Sequence, residues 1–249
     1  MQKASNEIAI FIDEVVKRNG RLIYIGCGTS GRLGVLDAAE CPPTFQADSE
    51  KVIGLIAGGD ASMRTSSEAK EDEFEGAHNE LEALKLNSND TVLGIAAGGT
   101  TPWVHGGLAF AKGKGAFTGF LTCAAVHCES DLSIYLDTGP EPLTGSTRLK
   151  AGTATKLTLN IITTTYFTKM GKVHGNYMVD LKATNDKLMD RGIRIIEALC
   201  NVSRDEARSL LIDSGKDVKA AIVMHQKSVS KEEAMNLIDG AGGQLRQIL

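Results

Sequence analysis

The chain has 249 residues, 42% hydrophobic and 23% charged, which is enough to bury a full core in one domain with an appendage. A formal charge of -4 and a pI near 5.8 argue against a nucleic-acid or acidic-membrane partner, because phosphate backbones demand a basic face. No apolar run reaches the roughly 18 residues of a membrane span, and Met1 to Gly20 reads as an amphipathic helix, not a signal peptide, which points to the cytoplasm.

In that first helix Ile8, Ile10, Phe11, Ile12, Val15 and Val16 recur at helical spacing, and Arg18-Asn19-Gly20 closes it. Arg21 to Gly26 is an apolar strand. It runs into the small-residue turn Gly26-Cys27-Gly28-Thr29-Ser30-Gly31 and then into a helix expected to stop before Pro42-Pro43. The spacing is not that of the dinucleotide-binding glycine fingerprint. Its glycines still let backbone approach a ligand, and Thr29 and Ser30 offer hydroxyls at a helix start, where free N–H groups and the dipole favour an anion such as phosphate.

Lys51 to Ala57 is a second strand ending in Gly58-Gly59, and Ser66 to Leu84 reads as a helix with an acidic first half. Thr91 to Ala97 is a third strand, followed by Gly98-Gly99-Thr100-Thr101 and by Pro102 in the first turn of a helix reaching about Lys112. Ala116 to Thr122 and Leu132 to Asp137 supply two more strands. Short strands apolar on both faces and alternating with helices predict an α/β fold, a parallel sheet covered on both sides. Ligands in such sheets bind beyond the carboxyl ends of the strands, and two of those ends carry glycine and hydroxyl turns. Pro140 to Gly145 reads as a loop and Leu149 to Lys172 as a long helix. From about Ile195 the pattern changes to short helical segments punctuated by Asn201, Gly215, Ser228 and Gly240. The expected division is 1–190 for the sheet domain and 191–249 for a small helical domain, whose ARSLLIDSGKDVKAAI stretch looks like ubiquitin-associated helices.

The five cysteines, Cys27, Cys41, Cys123, Cys128 and Cys200, are odd in number and lack zinc spacing, so neither a disulfide framework nor a metal site is expected.

At RLIYIGCGTSGRLGVLDAAECPPTF (Arg21 to Phe45), at GLIAGG (Gly54 to Gly59), and at GPEPLTGSTRLKAGTATKLTLN followed by KVHGNYMVDLKATNDKL (Gly139 to Leu188), the chain resembles the N-acetylmuramic acid 6-phosphate etherases. This family has the sugar isomerase (SIS) fold, shared with the glucokinase regulatory protein. The resemblance implies a three-layer αβα fold with a five-stranded parallel sheet, a helical C-terminal region, a homodimer with active sites shared at its interface, and no metal or other cofactor. It also implies a leader ahead of the first helix seen here. The implied reaction cleaves the lactyl ether of the sugar 6-phosphate, giving N-acetylglucosamine 6-phosphate and D-lactate. Where the family reads A-S-G-R-T-P, this chain has Ala97-Gly98-Gly99-Thr100-Thr101-Pro102, leaving phosphate to backbone N–H groups, Thr100 and Thr101.

Elimination from the open-chain sugar needs an ionised base for the C2 proton and a protonated acid for the oxygen leaving C3. By the family's motifs these are Glu71 and Glu40. The expected helix ends fit that division. Glu40 falls at a carboxyl end, whose negative pole favours a protonated acid, and Glu71 falls near an amino end opened by a Thr65-Ser66-Ser67-Glu68 capping box. A straight helix from Thr29 to Glu40 covers roughly 16 Å, too far for one sugar phosphate, so a site shared across the dimer is expected. Arg148 and Ser146, in GSTRLK, are further candidates for binding phosphate or carboxylate. His174 is a candidate ring-opening group, needed for an aldose–ketose isomerase, and a sugar-phosphate sensor like the glucokinase regulator is the third reading. The pair of glutamates favours the lyase, since isomerisation has no leaving group to protonate.

Overall fold

The structure is a computed structural model that describes residues 2–65, 68–181, 183 and 185–249. The chain divides into two compact units, one running to Pro42 and resuming at Asp48–Tyr166, the other Pro43–Ala47 with Phe167–Leu249.

The first unit is built on five parallel strands, β1 (Leu22–Gly26), β2 (Val52–Ile56), β3 (Thr91–Ile95), β4 (Phe117–Thr122) and β5 (Leu132–Tyr135), in the order β2-β1-β3-β4-β5. All five lie within the apolar runs seen in the sequence. β1 and β3 are buried throughout, because helices cover both faces of the sheet. On one face Ile23, Ile25, Val92 and Phe120 meet Trp103, Val104 and Leu108 of α4 (Pro102–Gly113), with α3 (His78–Ala83) beside it. On the other face lie α1 (Ser5–Arg18), which ends at the left-handed Asn19, α2 (Gly28–Phe45) and the long α5 (Lys150–Lys169). The result is the three-layer αβα arrangement.

Glycine sets how closely α2 lies on the sheet. A methyl on Gly31 would stand 2.5 Å from the Gly26 carbonyl oxygen, and one on Gly54 2.6 Å from Val35 Cα, so helix and strand backbones touch directly. Deeper in, Asp37 of α2 accepts from Tyr24 Oη (3.0 Å) of β1 and from Asn160 Nδ2 (2.7 Å) and Thr163 Oγ1 (3.3 Å) of α5. Burial raises its carboxyl pKa, and these three donors offset part of that rise. The network ties both helices to the sheet.

Two helix ends differ from the sequence reading. α2 does not stop before Pro42-Pro43 but continues to Phe45, whose ring stacks on Phe167 at a centroid distance of 4.5 Å. The prolines forfeit two N–H bonds, yet their fixed φ is compatible with a helix, and packing of the last turn outweighs the loss. Ser66 to Leu84 is not one helix. Short 3-10 turns at Gly59–Met63 and Glu68–Lys70 and an irregular stretch precede α3, while Ser66 and Ser67 of the expected capping box lie outside the described residues. Like-charged neighbours at helical spacing weaken such a helix. The stretch packs backbone-close on α4 instead, where a methyl on Gly106 would stand 1.7 Å from the Phe74 carbonyl oxygen and one on Gly76 2.5 Å from Trp103 Cδ1.

The second unit carries a two-residue antiparallel hairpin, β6 (Val173–His174) with β7 (Tyr177–Met178), then α6 (Asp186–Cys200), α7 (Arg204–Asp213), α8 (Val218–Lys227) and α9 (Lys231–Gly240). Ile193, Ile196, Leu211, Ile222 and Ala234 are among its core residues. Ser203 with Glu206, and Ser230 with Glu233, form capping boxes at the starts of α7 and α9. Asn201 and Ser228 close α6 and α8 in the left-handed conformation.

Candidate functional site

The chain passes from β1 out to β2, then returns to the other side of β1 with β3. This strand-order reversal opens a crevice at the carboxyl ends of β1 and β3, where α/β sheets bind ligands. The two strands are paired in register, Gly26 beside Ile95, so the turns that follow them emerge together.

A cleft of about 710 Å³ occupies this position, lined by Cys27 to Ser30, Arg32, Glu71, Ile95 to Gly98, Thr101 and Gly145 to Arg148. That volume suits a sugar phosphate. On the β1 side α2 starts immediately at Gly28, whose φ of 50° is the left-handed conformation that glycine adopts at little cost, and the Gly31 N–H donates to the Cys27 carbonyl (3.1 Å). The N–H groups of the first turn therefore open toward the cleft alongside Thr29 and Ser30.

Glu71 reaches this turn from an unforeseen direction. Its carbonyl accepts the Trp103 N–H at 3.0 Å, in the first turn of α4, which pins the backbone. Its Oε1 lies 3.2 Å from where a methyl on Gly28 would stand, so the carboxylate abuts the start of α2 and not the amino end of a helix of its own. Burial first, and the Glu71 charge second, push the Cys27 thiol up to about 12. That thiol stays protonated at neutral pH and is no nucleophile.

The third wall is the loop before α5. Glu141 accepts the Lys150 and Ala151 N–H groups, both at 2.9 Å, capping α5 with its two carboxylate oxygens. The Ala151 N–H, foremost among these, holds the Glu141 carboxyl below the usual range. The capped loop presents Ser146, Thr147 and the exposed Arg148 to the cleft.

Eight of the twelve candidate residues singled out in the sequence meet here: Gly28, Thr29, Ser30, Glu71, Gly98, Thr101, Ser146 and Arg148. Gly99 and Thr100 turn away into a separate groove of about 560 Å³ with Phe74, His105 and Val126. The Gly99 N–H bonds the Ala96 carbonyl (2.9 Å), and His105 Nε2 donates to the Gly99 carbonyl (2.8 Å), fixing that turn. Glu40 is exposed on α2, twelve residues past Gly28 and so about 18 Å along the helix. His174 belongs to the second unit, where it lines a cavity of about 300 Å³ with Arg246. Among the described residues no three His, Cys, Asp or Glu side chains are grouped to hold a metal.

The sequence reading passed over Arg32. Its spacing was a usable signal, since it follows Thr29 by three positions and so shares a helix face with it. The half-buried Arg32 donates from Nε to the Met63 carbonyl (3.2 Å), in the turn after β2.

Comparison with known proteins gives the fold and the family. The family description "Glucokinase regulatory protein N-terminal SIS domain" matches residues 6–112, and "C-terminal lid domain of glucokinase regulatory protein" matches 175–238. Among solved structures, a protein described as a candidate phosphosugar isomerase involved in capsule formation, from Bacteroides fragilis, shares the fold with a TM-score of 0.50 at 17% identity, over 69% of this chain and 87% of its own. The N-acetylmuramic acid 6-phosphate etherase of Synechocystis sp. is 49% identical over 96% of this chain and 79% of its own length. That of Staphylococcus saprophyticus is 49% identical over 94% and 80%. At that identity and coverage, the chain belongs to the N-acetylmuramic acid 6-phosphate etherase family.

Proposed function

We propose that the protein is a carbon–oxygen lyase that cleaves the D-lactyl ether of N-acetylmuramic acid 6-phosphate, giving N-acetylglucosamine 6-phosphate and D-lactate. The observation that carries this reading is the Glu71 carboxylate beside the open first turn of α2, a base and an anion cradle within one cleft. The phosphate sits on the N–H groups and hydroxyls of Thr29 and Ser30, with Gly98, Thr101, Ser146 and Arg148 around it. Glu71 takes the C2 proton of the open-chain sugar, acidified by the C1 aldehyde. Electrons from that C–H bond form the C2–C3 double bond, and the C3–O bond breaks as the lactyl oxygen receives a proton. Water then adds at C3 and a proton returns to C2, completing net ether hydrolysis.

The acid is Glu40 of a second copy of the chain, in a homodimer. Support comes from the outer surface of α2 and α5, which the Asn160–Asp37 hydrogen bond holds side by side. Leu36, Leu157 and Ile161 are 48%, 44% and 37% exposed on these helices, and the exposed Glu40 follows Leu36 by one turn. An apolar patch of this kind fits a subunit interface.

Turnover in heavy water tests the reaction. Release of D-lactate with deuterium at C2 of N-acetylglucosamine 6-phosphate is expected; exchange without lactate would point to isomerase-type chemistry or a missing acid, and neither would leave a sensor. Glu71→Gln should lose exchange and lactate alike, whereas Glu40→Gln should keep C2 exchange in the substrate and lose lactate. Equal loss of exchange in both rejects the division of roles. Mixing the two variants tests the shared site. Each is inactive alone, but a dimer of one with the other holds one intact site, so an equal mixture recovers about a quarter of wild-type activity. No recovery would place both glutamates in one chain's site.

A further inference from the structure

The substrate proposed above carries two anionic groups of different shape, a tetrahedral phosphate at C6 and a planar carboxylate on the lactyl arm at C3. The cleft offers two guanidinium groups, and they are placed differently. Arg148 is exposed on the loop beside Ser146 and Thr147. Arg32 is half-buried on α2, and its bond to the Met63 carbonyl commits Nε and fixes the plane of the head group. Nη1 and Nη2 have no hydrogen-bond partner among the described residues.

We infer that Arg32 reads the lactyl carboxylate and is the residue that tells the ether substrate from its sugar-phosphate product. This rests on the etherase reading of the cleft. A guanidinium held through Nε presents its two terminal nitrogens as a rigid fork, the geometry that matches a carboxylate bidentately. The first turn of α2 supplies N–H groups and the hydroxyls of Thr29 and Ser30 to phosphate without Arg32. That arginine stands one turn further along, about 4.5 Å from Thr29 along the helix axis, on the side of the cleft where the turn after β2 lies. The substrate's carboxylate must also enter a cleft that already contains Glu71, and a fixed cation offsets that repulsion.

The test compares ligands with and without the lactyl arm. Calorimetry should show Arg32→Gln binding N-acetylglucosamine 6-phosphate within about twofold of wild type. Its KM for N-acetylmuramic acid 6-phosphate should rise roughly 10- to 100-fold, the loss of one charge-assisted bidentate contact, and D-lactate should cease to compete with substrate. Arg32→Lys, which keeps the charge without the fork, should fall between them, and it serves as the test variant if Arg32→Gln does not fold. Parallel weakening of both sugar phosphates in a folded variant would overturn the inference by assigning Arg32 to phosphate. Undiminished D-lactate competition would overturn it by showing no contact. A wild-type protein that binds N-acetylglucosamine 6-phosphate but releases no lactate would instead overturn the etherase reading itself.

Discussion

The turns that follow β1 and β3 have the same composition, glycine then hydroxyl, and leave neighbouring strands in register, yet they are built differently. After β1 the chain enters α2 at Gly28 with no intervening loop, and Gly28, Thr29 and Ser30 all face the cleft. After β3 several residues precede α4, and the left-handed Gly99, with a φ of 81°, sends Gly98 and Thr101 to the cleft but Gly99 and Thr100 to the groove behind. Composition marks a turn as fit for an anion; the distance from strand end to helix start decides how many of its groups reach one.

The largest difference is expected in stability. A methyl on Gly31 meets the Gly26 carbonyl oxygen at 2.5 Å and Ile56 Cγ1 at 2.7 Å, and the backbone of β1 cannot move aside. Gly31→Ala should destabilise by more than about 3 kcal/mol and abolish binding. At the other turn a methyl on Gly99 meets the tip of Val126, a partly exposed side chain that can rotate, so Gly99→Ala carries mainly the cost of its φ, about 1 to 2 kcal/mol. Thermal denaturation that ranked the two in reverse would refute the contrast.

β1 and β3, which carry the two turns, are clamped together at their amino ends. Asp90, just before β3, accepts from Arg21 Nε (3.0 Å) and Nη2 (2.6 Å) and from the backbone N–H groups of Arg21 (3.0 Å) and Asn87 (3.1 Å). Burial disfavours its charge, but these bonds outweigh burial and hold the carboxyl below its usual range. The native state therefore binds fewer protons than the unfolded chain. The stabilisation is full well above the unfolded value of about 3.9 and fades as the pH falls through the folded one. Asp90→Ala should cost about 2 to 3 kcal/mol at neutral pH and flatten the loss of Tm below about pH 5. An unchanged slope would show that the clamp does not titrate with folding.

Ligand binding separates the turns more finely. Thr29→Ala and Ser30→Ala should each weaken N-acetylglucosamine 6-phosphate by about 10-fold, the worth of a hydrogen bond to a charged group. Thr101→Ala should do less, and Thr100→Ala should leave the affinity within about twofold, because Thr100 lies in the groove and not the cleft. Calorimetry giving equal losses at Thr29 and Thr100 would erase the distinction between the turns.

How far these features could be read beforehand follows from their physics. The five strands were legible because burial on both faces leaves continuous apolar runs. The ends of α6 and α8 were legible because Asn201 and Ser228 mark left-handed caps. The course of residues 68–77 was not, since the glycine contacts that lay it on α4, Gly106 on Phe74 and Gly76 on Trp103, join residues far apart in sequence. Nor was the end of α2, where Phe45 on Phe167 overrides two prolines. Within the site, the residue types of both turns were legible, but which of Gly98, Gly99, Thr100 and Thr101 faces the cleft depends on one φ angle. Arg32 shares a helix face with Thr29, but the bond to the Met63 carbonyl that fixes its head group joins residues too far apart in sequence to leave a pattern there.

The smallest expected effect is a gain. Gly98 faces the cleft, its φ is not left-handed, and a methyl built on it meets nothing within 4 Å. Gly98→Ser restores the serine usual to the family at a position with room for it. The added hydroxyl donates to phosphate from the β3 side, where the chain otherwise offers Thr101 and backbone, and the exposed backbone loses some of the freedom that glycine has when unliganded. N-acetylglucosamine 6-phosphate should bind about three- to fivefold more tightly, the worth of a hydrogen bond to a charged group offset in part by the lost rotamer freedom of the new side chain, with stability unchanged within about 0.5 kcal/mol. The same substitution at Gly28 should lose affinity, because its φ of 50° strains any side chain and Glu71 Oε1 lies 3.2 Å from the new Cβ. Serine would then help one turn and harm the other, and a gain at Gly28 or a loss at Gly98 would show that the two turns hold phosphate in the same way.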